Sequence, residues 1–488
     1  MKESNNILRM WALLVCTLLV LVGMYYLPER IGGWEIKPID ILSDLRTNTG
    51  DSLEQDPERL LDQNLTTYRD GSAEVKLSNK ISAKNEGRGH AEAVVSEAEQ
   101  ARLDSLYQRS LSASGLSSDS TFVPIEDYTA GHVALSRYYT ALQHRNNLGR
   151  PVRIVVLGDS FIEGDIFTAP LRKSLQDKFG GGGVGWMPLS STTAGYRTSV
   201  RHEFSGWTDQ SVLGSAKKGQ TFSGHYFTGH EGSRVSYSLP RGSHNFDRAV
   251  LYYMAPEGGV SLSVKVADST QTYQLAASSA LQEHNLLTAP ASSFKMSLLS
   301  GSNGLKLYGL ALEANRGITV DNMSLRGNSG HTINGIDENL TTRFCELRAY
   351  DLIILQYGLN VANDKQKDYS NYAKTLRGII SRLRQVSPKS DILVMSVSDR
   401  AKKTSSGVET MKSIFYLHST QQEVAREMGC AFWSTLKAMR SHGGIGAMVG
   451  KGQAAKDYTH LTHKGGVDVA QQFVKALTAE QRFRESMH

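Results

Sequence analysis

The pattern of apolar and polar positions changes character several times along the chain. Residues 10–27, MWALLVCTLLVLVGMYYL, are almost wholly apolar, close to the roughly 20 residues that cross a bilayer core. Lys2 and Arg9 precede this run, which predicts a membrane anchor (1–28) with the body of the chain on the outer side. Cleavage as a signal peptide is the weaker reading: Gly23 is followed by Met, two Tyr, Leu and Pro, with no small-x-small site. From 29 to 122 the chain is charged, Ser-rich and poor in aromatics, as in LSNKISAKNEGRGHAEAVVSEAEQ. Such a composition supplies little core. A largely disordered stalk is expected, helical in part near 91–109.

Beyond residue 123 the pattern becomes that of a folded domain. RIVVLG (153–158) is short, β-branched and apolar, as in a strand buried on both faces, and a helix is expected over 167–179. The unit recurs. ITVDNMSLRG precedes a helix near 333–347, DLIILQYG one near 369–385, DILVMSVS one near 408–428, and GCAFWS the C-terminal helical stretches. These repeats predict a parallel sheet with helices on both faces. Residues 190–316 break the series. VSYSLP, AVLYYMA, VSLSVKVAD and LKLYGLALEA alternate with period two between Gly- and Ser-rich turns, which reads as an antiparallel β-sandwich. The α/β domain is therefore expected in two parts, 123–189 and 317–488, around an inserted β-domain.

Composition narrows the function classes. The net charge of +6 over 488 residues is spread without a basic and aromatic array, so a nucleic-acid partner is not expected. Of three cysteines, Cys16 lies in the apolar run; Cys345 and Cys430 read as buried thiols, although an oxidising compartment permits pairing. No CxxC suggests structural zinc.

Active sites of parallel sheets form at the carboxyl ends of the strands. Ser160 stands at the first such end, Gly327 at the second, Gly358 and Asn360 at the third, and Asp457 and His460 before the last helix. Together they form a hydrolase kit. A serine hydroxyl needs a base, histidine titrates in the right range, and a carboxylate fixes its tautomer. The backbone N–H groups of Ser160 and Gly327 and the Asn360 amide would make an oxyanion hole, glycine at 327 allowing close backbone approach.

These blocks, GDS, a Gly, GxN and DxxH in that order, resemble the SGNH (GDSL-type) hydrolases. GDSFIEGDIFTAPLRKSLQDKFGGGGVGWMPL and DYTHLTHKGG are similar to the first and last blocks of peptidoglycan O-acetylesterases, which carry a β-sandwich between the first two blocks. The resemblance covers about 127–477. It implies a three-layer α/β/α flavodoxin-like fold and an acetylesterase with Ser160 as nucleophile, His460 as base, Asp457 as its partner, and Ser160, Gly327 and Asn360 at the oxyanion. No metal or organic cofactor is needed. The implied setting is a bacterial inner membrane, spanned once, with the catalytic part facing the periplasm or exterior. Phe161 and Leu359 depart from the family pattern beside the nucleophile and inside GxN.

Other readings compete. Asp457, His460 and His463 would make a metal trio only in a tight helical turn. Gly180–Gly183 is read as a helix stop, since no Gly-Lys-Ser/Thr follows it. Glu163 and Asp165 would favour the next helix through its dipole. Trp186, Trp207 and the Tyr252-Tyr253 pair would stack on sugars or fill the sandwich core. The expected activity is removal of O-acetyl groups from an envelope glycan, peptidoglycan first. An O-acetyltransferase using the same residues, or a non-catalytic glycan-binding protein, is the alternative.

Overall fold

The computed structural model describes residues 95–214 and 218–487, with the backbone of 30–31 and 34–35. In the N-terminal unit, Met1–Asp56, Arg30–Ile31 pairs antiparallel with Trp34–Glu35. The expected anchor at 10–27 lies outside the described residues, as does most of the expected stalk. Among the described residues no helix is long and apolar enough to cross a membrane.

The rest centres on a six-stranded sheet. Its strands are β1 (Ile125–Asp127), β2 (Val152–Gly158), β3 (Ile318–Ser324), β4 (Leu352–Gln356), β5 (Asp391–Met395) and β6 (Ala431–Trp433). Their order is β3-β2-β4-β5-β6-β1, parallel except for β1, which pairs antiparallel with β6. Every residue of β2 is buried. Ile154 and Val156 enter one apolar core, and Val155 and Leu157 the other, as the two-residue period of a strand requires. Helices α1 (Glu97–Ala113), α2 (Ser136–Gln143), α3 (Thr168–Phe179), α4 (Glu338–Arg348), α5 (Ser370–Val386), α6 (Lys412–Glu427) and α7 (His463–Ser486) complete the main frame. Leu171 of α3 and Phe473 of α7 cover the first face, and Phe344 of α4 and Ile379 of α5 the second.

Helix α1 changes the reading of 29–122. Ser96 caps it, accepting from Glu99 N at 3.2 Å. Leu103 and Leu111 are buried, and the Tyr107 ring meets Phe483 of α7 edge-on at 5.1 Å. These three positions are four apart and make one narrow stripe. The stripe is too thin to order a free helix but suffices against α7. The folded body therefore starts by residue 95.

Between α3 and β3 the chain builds two antiparallel sheets. One has the order Ser278–Asn285, Arg248–Ala255, Lys306–Glu313, His225–Thr228, Thr208–Ser211, with Gly185–Met187 also pairing to Lys306–Glu313. The other has the order Ser269–Leu275, Val260–Val266, Ser293–Ser300, Arg234–Ser238, Arg201–Ser205. Phe227, Tyr237, Leu251, Leu262, Phe294 and Leu310 belong to one core drawn from both sheets. A buried ionic network ties this insertion to the parallel sheet. Arg153 of β2 and Arg348 of α4 both hold Glu313, at 2.7 and 2.6 Å. Arg348 also pairs with Asp321 of β3 at 2.9 Å, and Asp321 accepts from Trp186 N at 2.9 Å.

The helix expected near 408–428 forms as α6, Lys412–Glu427, and an unexpected hairpin precedes it, Ala401–Thr404 pairing with Gly407–Thr410. The turn residues Ser405, Ser406 and Gly407 close the hairpin, with Gly407 at φ +131°. Cys345 and Cys430 are buried free thiols.

Candidate active site

Register places the site. Gly158 lies opposite Ser324 and Gln356, so β2, β3 and β4 end level. The loops leaving these ends carry Ser160, Gly327 and Asn360. The loop before α7 brings Asp457 and His460. Ser160 Oγ lies 3.1 Å from His460 Nε2, and His460 Nδ1 lies 2.7 Å from Asp457 Oδ2. With its Nδ1 proton directed at the carboxylate, the imidazole presents Nε2 as an acceptor for the serine proton. Asp457 is itself fixed, since Oδ1 accepts the N–H groups of Thr459 at 3.0 Å and His460 at 3.1 Å. Burial raises the Asp457 carboxyl, but the His460 side chain and these two N–H groups outweigh it and hold it below its ordinary value.

The candidate oxyanion groups differ in state. Asn360 Nδ2 donates to Asp159 Oδ2 at 3.1 Å and to Asn328 O at 3.0 Å. Both amide hydrogens are committed in the resting site, so donation to an oxyanion exchanges one of them. The neutral Asn328 carbonyl is the weaker acceptor and the easier to give up. The space beside Gly327 is open, which leaves room for the expected approach of an oxyanion. No protein atom lies within 4 Å of where its Cβ would be; the backbone needs glycine because φ is +74°. Protein atoms crowd Gly330 instead, where a Cβ would meet Ile379 Cδ1 at 2.8 Å.

Asp159 is a residue that sequence reasoning passed over. It is fully buried, precedes Ser160 in the chain, accepts from Phe161 N at 2.9 Å, and orients Asn360. Burial pushes its carboxyl up to about 6, against the pull of Phe161 N–H, the His460 charge and the Asn360 amide. Its place inside GDS was the available signal.

Glu163 and Asp165 have other work than the expected dipole role. Asp165, at φ +66°, is buried. It pairs with Arg172 at 2.8 Å and accepts from Ser199 Oγ at 2.6 Å, which pins the Ser160 loop to α3 and to the start of the insertion. Burial opposes its charge, but Arg172 and Arg197 hold its carboxyl far below the usual range. Glu163 pairs with Arg326 at 2.5 Å and so joins the first block to the second.

The expected sugar contacts are corrected too. Trp186 is 2% exposed, packed between Tyr252 and Phe344, and Tyr252 and Tyr253 are buried as well. None of these faces is free for a sugar, because β-sheet pairing of Gly185–Met187 turns the ring into the core. Trp207 is half-buried, its ring lying over Gly229 and against the sandwich core. His463 is the first residue of α7 and takes no part in the triad geometry.

No family model matches the chain, and no curated protein matches it. Among solved structures, that of a peptidoglycan O-acetylesterase is 23% identical, with a TM-score of 0.61, over 73% of this chain and 99% of its own. The chain shares this esterase fold. The SGNH resemblance read from the sequence thus holds at the level of fold. A family two carbohydrate esterase from Cellvibrio japonicus is 12% identical with a TM-score of 0.26, over 58% of this chain and 99% of its own. That likeness is too loose to bear on the chemistry. Here the Ser160 loop leaves the carboxyl end of β2, and the Asp457–His460 loop reaches that edge from the segment before α7.

Proposed function

We propose that this protein is a serine esterase that removes O-acetyl groups from an envelope glycan, with peptidoglycan as the first candidate. The observation that carries the reading is the hydrogen-bonded chain Ser160–His460–Asp457, at 3.1 and 2.7 Å, at the carboxyl edge of the parallel sheet. His460 takes the Ser160 proton as Oγ attacks the acetyl carbonyl. Asp457 stabilises the imidazolium, and the oxyanion is met by the Asn360 amide and the N–H groups of Ser160 and Gly327. The imidazolium then protonates the leaving sugar oxygen, which departs as a hydroxyl. Water, deprotonated by the same imidazole, releases acetate from the acetyl-serine. The site is open: the His460 and Asp457 side chains are 37% and 49% exposed. An open triad admits a polymer and lets water reach the acyl-enzyme, which supports hydrolysis over transfer. The apolar run at 10–27 supports placement at a bacterial inner membrane, with the catalytic part facing outward.

The test is acetate release from O-acetylated peptidoglycan by the full chain and by Ser160→Ala. Release by the parent, lost about 1,000-fold or more in the variant, is the expected outcome. Equal turnover by both would overturn the assignment.

A further inference from the structure

The hairpin at 401–410, which precedes α6, carries cations to the candidate site. It follows the carboxyl end of β5 and so rises from the same edge of the sheet as Ser160. Two contacts dock its first strand on the site. Ala401 N donates to Tyr458 O at 3.1 Å, and Tyr458 lies between Asp457 and His460. Arg400 Nη1 lies 3.5 Å from both Leu359 O and Ala362 O, the carbonyls on either side of Asn360. Lys403 Nζ lies 5.9 Å from the centre of the Tyr458 ring.

The cations around the site fall into two groups. Lys402 is neutralised by Asp364 at 2.6 Å, and Arg326 by Glu163 at 2.5 Å. Arg400 and Lys403 have no carboxylate partner among the described residues. One is half-buried against the Asn360 loop and the other is exposed over the Asp457–His460 loop. An arginine held against backbone carbonyls keeps its remaining N–H groups, and its full charge, for another acceptor. Two unpaired cations on the rims of two different candidate catalytic loops make a subsite for an anion that arrives with the substrate.

We propose that Arg400 and Lys403 bind a carboxylate of the acetylated glycan and so select acidic over neutral acetylated polymers. This rests on the esterase reading for its site but makes a separate claim about the substrate. A carboxylate can come from a stem peptide, as in peptidoglycan, or from a uronic acid in the sugar chain. The shared chemistry is an anionic group close to the acetyl ester.

The experiment compares the full chain with Arg400→Gln/Lys403→Gln, and with Lys402→Gln as a control. The substrates are O-acetylated peptidoglycan, an acetylated polyuronate, a neutral acetylated glucan and 4-nitrophenyl acetate. The double variant should raise KM about fivefold or more on an anionic polymer at low salt. It should leave kcat on that polymer, and both constants on the neutral substrates, near the parent. Whichever anionic polymer shows the KM effect identifies the source of the carboxylate. An equal loss on all four substrates would mean that Arg400 only shapes the Asn360 loop, and no loss on either anionic polymer would remove the subsite; either result overturns the proposal. If the parent hydrolyses none of the esters, the esterase reading fails on its own. Sedimentation with insoluble peptidoglycan, and retention on the immobilised polyuronate, then decide the subsite: salt-sensitive binding lost in the double variant supports it, and unchanged binding rejects it.

Discussion

At the scale of single residues, the site depends on groups that do no bond-making themselves. Asp159, next to Ser160 in the chain, holds Asn360 by accepting a 3.1 Å hydrogen bond from its amide. In Asp159→Asn one carboxylate oxygen becomes an NH2, which faces the Asn360 NH2 and turns the amide away. We expect kcat to fall about 10- to 100-fold with KM nearly unchanged, as for loss of one oxyanion donor; steady-state kinetics on a small acetate ester reads this. The same variant has a pH signature in stability. Folding raises the Asp159 carboxyl from 3.8 to about 6, so the folded chain holds that proton more tightly. Its contribution is complete below about pH 4 and is lost as pH rises through about 6. Measured against the parent, Asp159→Asn should therefore gain stability from pH 4 to 8, by at most about 3 kcal/mol. Denaturant titrations across that range check the sign.

Two glycines in one loop separate conformation from space. Gly327 has an open Cβ position and φ +74°, while Gly330 has φ +89° and no room. Gly327→Ala should cost about 1–2 kcal/mol of backbone strain and reduce kcat by moving the residue 327 N–H. Gly330→Ala should destabilise more, because Ile379 and Tyr357 must also shift. Thermal unfolding and kinetics of the two variants side by side test the ranking.

At the scale of elements, α1 forms where a helix was expected near 91–109 but packs on the body instead of lying in a stalk, and the 401–410 hairpin was not expected at all. Both are short of apolar residues, so neither makes a strong periodic signal alone. Each is fixed by a partner distant in sequence, α1 by Phe483 of α7 and the hairpin by Tyr458. The buried strands were legible because a run such as Ile154, Val155, Val156 and Leu157 needs cover on both faces wherever it lies. The consequence for α1 is direct. Leu103→Ala should lose about 2–4 kcal/mol, the range for a buried leucine. A chain that starts at residue 116 should unfold at lower temperature than one that starts at residue 95, and calorimetry distinguishes them.

At the scale of the whole molecule, the inserted sandwich is joined to the parallel sheet through charge. Arg348 is fully buried and spans Glu313 of the insertion and Asp321 of β3. Arg348→Met would leave two buried carboxylates short of a partner, at a cost of about 3–5 kcal/mol, measured by urea unfolding. Burial alone would raise Glu313, but Arg153 and Arg348 hold it at about 2 against an ordinary 4.5. Its contribution is therefore present above pH 4.5 and is lost as pH falls toward 2. The parent should lose stability through that window more steeply than Arg348→Met.

The sequence by itself determined the five strand–helix units, the inserted β-region, and the identity of Ser160, Asp457, His460, Asn360 and Gly327 as candidates. Those features are local: a buried strand, an alternating run or a strand-end serine shows itself within about ten residues. Only the tertiary structure decided which side chains meet. It brought Ser160 to His460 across 300 positions, bonded Asp159 to Asn360, and turned Trp186 into the core. It also joined α1 to the body and laid a basic hairpin against the candidate catalytic loops. Each of these is a pairing of distant segments, set by which apolar face or buried charge finds its complement when the layers close.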